Sequence, residues 1–369
     1  MNYKQLFNTT LATLGIIGTL TSTWVNPSLS QTKKTPLKSP ESASTSRKKD
    51  RGNQLYSLRS HIWDVSDLAF SKEGKFLISG SFDETIQLWS LSTHKLIRTF
   101  PGQKDGVQAV LITPDTQTLI SAGGTAKTNS DKAIRITSLK NGKLIGNLNS
   151  HTLGITALAM TPDGQTLASG SYDKTIKLWN WKTRTLTNTL IGHNSWVRSL
   201  AIRPDGKILV SGGGSPDEKT DSSVKIWDLA TGKLIRTIPG NSSSISYVGF
   251  TADGQKIVSG SETEIKIWNA NNGELVNIIK APSPEGIKAI AISPNGTTIA
   301  TTSLDASVKL WNIADGKLIQ TLVPAANNDN LDRLYPSSVR FSPNGKIIAI
   351  GHGGGAYLSK FPIDVYQLK

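Results

Sequence analysis

Short stretches of alternating apolar and polar residues, separated by turn residues, run along most of this chain. Residues 151–179 show the pattern clearly, with turn sequences at 161–164 and 171–174 between the stretches. Alternation with a period of two predicts half-buried strands. The unit therefore has four predicted strands, at residues 155–160, 166–169, 175–179 and 185–190.

The same unit recurs from residue 54 onward, and seven copies align on two landmarks. A turn follows each first strand, at residues 71–74, 113–116, 161–164, 203–206, 251–254, 293–296 and 342–345. The third strands end on Trp89, Thr137, Trp179, Trp227, Trp268, Trp311 and Tyr366. A four-stranded unit that recurs about every 40–45 residues is typical of a propeller blade.

The two ends of the repeat region complement each other. The last copy ends after its third strand, while residues 54–58 precede His61 just as residues 143–148 precede His151. Pairing these ends in one blade removes the free edges of an open array. We therefore predict an all-β fold over residues 54–369, a seven-bladed propeller of four-stranded antiparallel blades whose last blade is closed by strand 54–58. The apolar positions Val65, Leu68 and Phe70 break the period of two, which predicts a bulge in each first strand.

On these repeats, residues 54–369 resemble the WD40-repeat family, and with the N-terminal segment below they look like an exported WD-repeat protein of bacterial type. The resemblance implies a hydrogen-bonded series of His, Ser or Thr, Asp and Trp within a blade. The matching residues are His61, Ser79, Asp83 and Trp89; His151, Ser169, Asp173 and Trp179; His193, Ser211, Asp221 and Trp227; and Thr301, Asp305 and Trp311.

Other copies depart from the family pattern. Gln103 and Asn241 stand at the His positions of blades two and five, Thr137 replaces a Trp, and Glu262 lies in the shortened turn of blade five. Blade seven keeps only Tyr366. We expect these blades to be less stable, because each missing network removes about 1–3 kcal/mol.

The network accounts for residues that otherwise suggest chemistry. His352 lies in the glycine-rich segment 351–355, which is similar to an esterase oxyanion motif, but no Gly-x-Ser-x-Gly turn accompanies it. We expect a flexible loop there. The first strands gather no carboxylates or histidines for a metal or an acid–base pair. The sequence therefore predicts no enzyme activity, cofactor, metal or small-molecule substrate, and a propeller hydrolase is the least favoured alternative.

One rim of the disc carries the loops that precede the first strands and the turns between second and third strands. Insertions at residues 123–130, 213–220, 324–336 and 351–362 fall on it. So do the candidate partner-binding residues Trp63, Phe82, Tyr172, Trp196 and Arg198. Exposed aromatic side chains are typical anchors of protein interfaces; alternatively, Trp63 and Trp196 pack between loops. We predict a non-catalytic scaffold that binds protein or peptide through this rim.

Charge and composition add a second possibility. The 369 residues include no cysteine, which excludes disulfides and thiolate metal sites, and carry a formal charge of +14. Eight Lys and Arg against two Asp and Glu give residues 1–53 a charge of +6. The predicted linker, residues 31–53, is rich in Ser, Thr, Pro and Lys, and we expect it to be disordered. It is either a solvated tether or a basic tail for an anionic membrane surface or, less favoured, nucleic acid.

The first 30 residues predict export. Lys4 precedes an uncharged apolar run over 11–20, and small residues at 28–30 precede Gln31. This order is typical of a cleaved signal peptide, which implies a periplasmic or secreted protein. The alternatives are an uncleaved membrane anchor over residues 6–25 and a disordered tail.

Overall fold

The computed structural model describes residues 53–215, 221–280, 285–326, 334–354 and 359–368. The predicted signal (1–30), the alternative anchor (6–25) and the linker up to residue 52 lie outside the described residues. Parts of three rim insertions, those at 213–220, 324–336 and 351–362, lie outside them as well.

The described residues form seven four-stranded antiparallel sheets, so the predicted seven-bladed propeller is confirmed. The first four blades consist of β2 (Val65–Phe70), β3 (Phe76–Ser81), β4 (Thr85–Ser90) and β5 (Lys95–Pro101); β6 (Val107–Ile112), β7 (Thr118–Gly123), β8 (Ile134–Ser138) and β9 (Leu144–Leu148); β10 (Ile155–Met160), β11 (Thr166–Ser171), β12 (Ile176–Asn180) and β13 (Thr185–Leu190); and β14 (Val197–Ile202), β15 (Ile208–Gly213), β16 (Val224–Asp228) and β17 (Leu234–Ile238).

The last three blades follow the same order. They consist of β18 (Tyr247–Phe250), β19 (Lys256–Gly260), β20 (Glu264–Asn269) and β21 (Leu275–Lys280); β22 (Ile287–Ile292), β23 (Thr298–Ser303), β24 (Val308–Asn312) and β25 (Leu318–Val323); and β26 (Tyr335–Phe341), β27 (Ile347–Gly353) and β28 (Phe361–Gln367), completed by β1 (Gln54–His61).

Strand β1 closes the ring. It pairs antiparallel with β28, from Gln54 opposite Tyr366 to His61 opposite Phe361, so the predicted closure is confirmed. The strand is longer than the predicted 54–58 segment and ends at His61. Leu58 is buried in a cluster that joins blade seven to blade one. Closure therefore gives blade seven the same four strands as the other blades.

The hydrophobic core lies between blades. Trp179 of blade three packs with Ile120, Ile134 and Leu148 of blade two. Trp227 of blade four packs in the same way on Ile176 and other residues of blade three. Because the blades bury both sheet faces, the second strands are apolar or small at nearly every position.

A glycine in the second strand lets neighbouring blades approach closely. A Cβ on Gly170 would lie 2.7 Å from Val197 Cγ1, and one on Gly80 would lie 2.6 Å from Val107 Cγ1. The repeated Ser-Gly pair in these strands follows from this contact. The predicted bulge is present where the contact occurs, since the register shifts between Val197 and Ser199.

Candidate interaction surface

Two sets of loops meet along one edge of the propeller. We call this edge the upper rim; it comprises the segments that precede the first strands and the turns between second and third strands. In blade one, Phe82 N donates a hydrogen bond to Asp64 O at 3.0 Å. In blade three, Tyr172 N donates to Gly154 O at 3.1 Å. These backbone hydrogen bonds fix the positions of the side chains on the rim.

A four-residue network lies beneath the rim in three blades. In blade three, His151 Nδ1 is 2.7 Å from Asp173 Oδ2, and Nε2 is 2.8 Å from Ser169 Oγ. Trp179 Nε1 donates to the same Ser169 Oγ at 2.9 Å. Because the carboxylate only accepts, the Nδ1 proton points to it and Nε2 accepts the Ser169 hydroxyl proton. The corresponding distances in the other two blades lie between 2.7 and 2.9 Å, for His61, Ser79, Asp83 and Trp89 and for His193, Ser211, Asp221 and Trp227.

The network carboxylates are held in their charged form. Burial alone would raise the pKa of Asp83, but hydrogen bonds from His61, Thr85 and Ile62 N lower it to about 2. Burial likewise opposes ionisation of Asp173, but the hydrogen bonds from His151, Thr175 and Thr152 N outweigh it, so that the pKa of Asp173 is well below its usual range. The pKa of Asp221 is lowered by its hydrogen bonds to His193 and Ser223 against the same effect of burial. Each carboxylate therefore secures a rim turn.

Blade five builds a variant of the network. Asn241 Oδ1 accepts a hydrogen bond from Ser259 Oγ at 2.6 Å, and Trp268 Nε1 donates to Ser259 Oγ at 2.8 Å. The acidic partner is Glu264, whose Oε1 accepts from Ser242 N at 2.9 Å. Glu262 lies in the shortened turn, as predicted, but the carboxylate that bonds to the rim backbone is that of Glu264 at the start of β20.

Blades two and six keep parts of the network. Gln103 Nε2 donates to Ser121 Oγ at 3.1 Å in blade two, where the rim acceptor is Asp131, bonded to Lys104 N at 3.1 Å. In blade six, Trp311 Nε1 donates to Thr301 Oγ1 at 2.9 Å, and Asp305 Oδ1 accepts from Ser307 N at 2.8 Å. The position in blade six that corresponds to the histidine, residue 283, lies outside the described residues.

Blade seven replaces the network with a different polar cluster. Ile350 and Tyr366 occupy the positions of the network serine and tryptophan. The buried Asp364 Oδ1 accepts hydrogen bonds from Ser57 Oγ and from Gln54 Nε2, the latter at 2.8 Å. His352 Nε2 lies 3.1 Å from Asp364 Oδ2. The expected flexible loop at His352 is wrong, since this residue belongs to β27 and is partly buried.

The rim aromatics fall into two pairs. Trp63 is 61% exposed and Phe82 is 38% exposed, so both are open to a partner. Tyr172 and Trp196 are half-buried and pack edge to face, with ring centroids 4.9 Å apart. Gln108 Nε2 donates to Tyr172 OH at 3.4 Å. The expectation that Tyr172 is an exposed anchor is therefore wrong, and Trp196 packs between loops as the alternative had it.

Sequence reasoning missed one exposed side chain on the rim. Ile62 is 66% exposed, although it directly follows a network histidine. The corresponding residues Thr152 and Asn194 are polar, so the apolar residue at position 62 was a signal available in the repeat alignment. Ile62, Trp63 and Phe82 lie in the two rim loops of blade one. We call them the blade-one patch.

Residues from all seven first strands line a central cavity of about 590 Å³. Arg340 of blade seven forms an ion pair with Asp67 of blade one, with Nη2 and Oδ1 2.7 Å apart. Burial raises the pKa of Asp67, while the charge of Arg340 opposes this shift. Asp67 and Arg340 also line a second cavity of about 400 Å³, so the pair lies where the two cavities meet. Comparison of equivalent positions in the first strands did not predict this pair, because Asp67 and Arg340 stand at different positions of their strands.

No group of three or more His, Cys, Asp or Glu within the described ranges is placed to hold a metal ion. In the same ranges, no helix has the length and apolar character needed to cross a membrane.

Comparison with known proteins gives one family and several partial relatives. The family model for the WD domain, G-beta repeat (WD40) matches residues 52–90, 94–137, 142–180, 184–228, 232–269 and 273–312. A WD repeat-containing protein of Arabidopsis thaliana, VIP3, is 30% identical over 111 residues, which are 28% of this chain and 34% of the relative. The protein hir1 of Schizosaccharomyces pombe is 33% identical over 92 residues, 24% of this chain and 9% of the relative. The chain thus spans a third or less of these relatives.

Proposed function

The chain belongs to the WD40-repeat family, and on that premise we propose that it is a non-catalytic scaffold that binds protein or peptide partners through the upper rim. The blade-one patch carries this proposal. Three large apolar side chains, Ile62, Trp63 and Phe82, are exposed side by side in two hydrogen-bonded loops. Exposed apolar patches of this kind mark interaction sites.

The base beneath the patch is rigid. Asp83 accepts hydrogen bonds from His61 and from Ile62 N at 3.0 Å, while Ser81 Oγ donates to Trp63 O at 3.1 Å. A partner that buries the patch gains about 25 cal/mol per Å² of apolar surface. Since the loops are already ordered, little of that gain is lost to conformational entropy on binding.

The residues that resemble catalytic groups support a non-catalytic role. His61, His151 and His193 are committed to buried networks, and Asp67 is committed to Arg340. A general acid or base must reach a substrate proton within hydrogen-bonding distance. These side chains are instead bonded to other residues of this chain.

The test is affinity capture with the full chain as bait in an extract of its own host. The double variant Trp63→Ser/Phe82→Ser should lose the captured protein. The control is Ile235→Ser, which removes an equally exposed apolar side chain from the outer strand β17 and should retain capture. Retention of the same protein by the double variant would refute the assignment of the rim.

A second candidate function rests on the charge of residues 1–53, which is +6. In this reading the basic segment 31–53 tethers the protein to an anionic membrane surface or to nucleic acid. Such binding weakens steeply with added salt, whereas binding through the apolar patch changes little. Binding to anionic vesicles that disappears between about 50 and 200 mM salt would favour the tether.

Export is part of the proposal as well, and it is supported by the order of Lys4, the apolar run and the small residues before Gln31. The protein isolated from the periplasm or medium of its host should begin near Gln31. Recovery of exported protein that still begins at Met1 would show an uncleaved anchor instead.

A further inference from the structure

One residue from each blade forms a ring at the upper end of the central cavity. Six of them stand at the bulge of their first strand, and the seventh, Ser246 of blade five, directly precedes β18. The ring consists of Ser66, Gln108, Thr156, Arg198, Ser246, Lys288 and Ser337, and all seven line the cavity. The ring therefore carries two cations and no carboxylate.

The uncharged members of the ring are used by the fold. Ser66 Oγ donates to Val107 O at 2.6 Å, and Ser337 Oγ donates to Val65 O at 2.7 Å. Thr156 Oγ1 donates to Gly170 O at 3.0 Å, and Gln108 Nε2 to Gly124 O at 3.2 Å. These groups hold the bulges and the loops of neighbouring blades, so they are not available to a ligand.

Arg198 and Lys288 differ from the rest of the ring. Across the part of the chain that the structure describes, neither side chain has a hydrogen bond or an ion pair. Lys288 Nζ lies over the ring of Tyr335, 5.9 Å from the centroid. The carboxylates of Asp64 and, less strongly, Glu262 act on Lys288, but Asp64 already accepts hydrogen bonds from Tyr335 OH at 2.9 Å and Gly354 N at 3.0 Å.

Arg198 and Lys288 stand at equivalent bulges of blades four and six and line the same cavity. Protein surrounds the Lys288 ammonium although it is open to the cavity, and this desolvation lowers the pKa of Lys288; the charge of Arg198 lowers it further. The charge of Arg198 also acts on Tyr172 on the rim, where it opposes the rise in pKa that burial causes. Two like charges in a confined space favour an anion between them, since the anion relieves their repulsion and is attracted by both.

We propose that the upper end of the cavity is a carboxylate-binding pocket, in which Arg198 and Lys288 hold an Asp or Glu side chain of a partner peptide. The pocket rests on the proposed function of the rim and adds the chemistry of the partner. Asp64, adjacent to Trp63 of the blade-one patch, accepts a hydrogen bond from Tyr335 OH, and Lys288 Nζ lies over the Tyr335 ring. Tyr335 therefore connects the loop of the patch to the pocket, so a peptide anchored at the patch can reach both.

The size of the cavity favours a peptide over a free anion. The cavity of about 590 Å³ runs from the ring to Pro204 and Pro294 at the other ends of the first strands, so it has room for a side chain that enters from the rim. The basic segment 1–53 of the chain itself has the wrong sign of charge for this pocket. An acidic segment of another protein fits both features.

The test measures binding of a fluorescent Gly-Ser peptide with three consecutive Glu residues to the full chain by anisotropy. Its counterpart with three Gln residues reports the contribution of charge. The variant Arg198→Gln/Lys288→Gln should raise the Kd for the Glu peptide at least tenfold. The variant Lys143→Gln/Lys233→Gln has the same net charge but changes exposed lysines in turns between third and fourth strands, and its Kd should stay within twofold.

Several outcomes decide the question. Equal weakening by both double variants would show unspecific attraction to a basic protein and overturn the pocket. Binding of inorganic phosphate at constant ionic strength, without binding of the Glu peptide, would show a free-anion site and overturn it as well. The variant Arg198→Lys/Lys288→Arg keeps both charges and should retain the peptide, which controls for folding. If Arg198→Gln/Lys288→Gln binds the Glu peptide as tightly as the unsubstituted chain, the pocket is wrong. If Trp63→Ser/Phe82→Ser nevertheless loses its captured protein, the proposed function of the rim stands.

Discussion

Blades three and seven have the same four strands but bury different polar groups. Blade three uses residues from one stretch of chain, with His151, Ser169, Asp173 and Trp179 in series. Blade seven brings Gln54 and Ser57 of β1 to Asp364 of β28, more than 300 residues away. Blade three is thus stabilised by contacts that are local in the sequence, whereas blade seven is stabilised by contacts between the two ends of the propeller.

We expect the largest effect from shortening β1, the N-terminal strand that completes blade seven. Deletion of residues 54–58 exposes the facing edge of β28 and removes the buried Leu58, while it keeps His61 for the network of blade one. Since burial of a single leucine contributes about 2–5 kcal/mol, the deletion should lower the free energy of unfolding by more than about 5 kcal/mol. Thermal unfolding measures this, with deletion of linker residues 32–50 as the control. Equal melting temperatures for the two truncations would contradict closure by β1.

A smaller effect should follow from breaking the local network of blade three. Ser169→Ala leaves Trp179 Nε1 without its acceptor and His151 Nε2 without its donor, both buried. The expected cost is about 2–3 kcal/mol in a denaturant titration. Blade seven has Ile350 at the same position, so Ile350→Ala should show only the loss of apolar contacts. A Ser169→Ala cost below about 0.5 kcal/mol would mean that the network does not stabilise the blade.

Acid should weaken the network of blade three. The pKa of Asp173 is lowered in the folded protein, so its stabilising effect is complete above the usual carboxylate value of 3.8 and is lost as the pH falls below it. The free energy of unfolding should therefore decrease between pH 4 and pH 2. Asp173→Asn cannot titrate and should show a shallower decrease. Identical acid profiles for the two proteins would rule out this coupling.

The smallest effect concerns the rim turn of blade three. Tyr172→Ala removes the edge-to-face contact with Trp196 and should cost about 1 kcal/mol. Phe82→Ala, at the same position of blade one, is more exposed and should stay within about 0.5 kcal/mol. Urea titrations of both variants measure the difference. A larger cost for Phe82→Ala would reverse our assignment of which aromatic is free for a partner.

The contrast between local and distant contacts also explains what could be predicted from the sequence. The hydrogen bonds in the turns and in the networks of blades one, three and four join residues at most 28 positions apart, and repetition makes their spacing visible. Closure followed as well, because the incomplete first and last units complement each other. The Asp67–Arg340 pair and the Asp364 cluster depend on contacts between the two ends of the propeller, which no repeat displays.

The exposure of individual rim residues was harder to predict for a related reason. Tyr172 and Phe82 occupy the same position in their turns, yet Tyr172 meets Trp196 of the next blade and Phe82 stays open. The difference arises from the neighbouring loop, not from the turn itself. In blade five, the carboxylate that bonds to the rim backbone belongs to Glu264, two residues after Glu262, because the shortened turn shifts the register of the side chains that follow.

The pairing of β1 with β28 also determines the order in which the blades can form during synthesis. Strand β1 ends at His61, and its partner β28 begins at Phe361, so a ribosome must add 300 residues before the two can pair. At elongation rates of about 5–20 residues per second, the strand waits roughly 15–60 s. Blades one to six can form one after another while their residues emerge, but the last blade can only form at the end. Until then the nascent chain carries an unpaired, partly apolar strand, which is the segment of this propeller that most needs a chaperone.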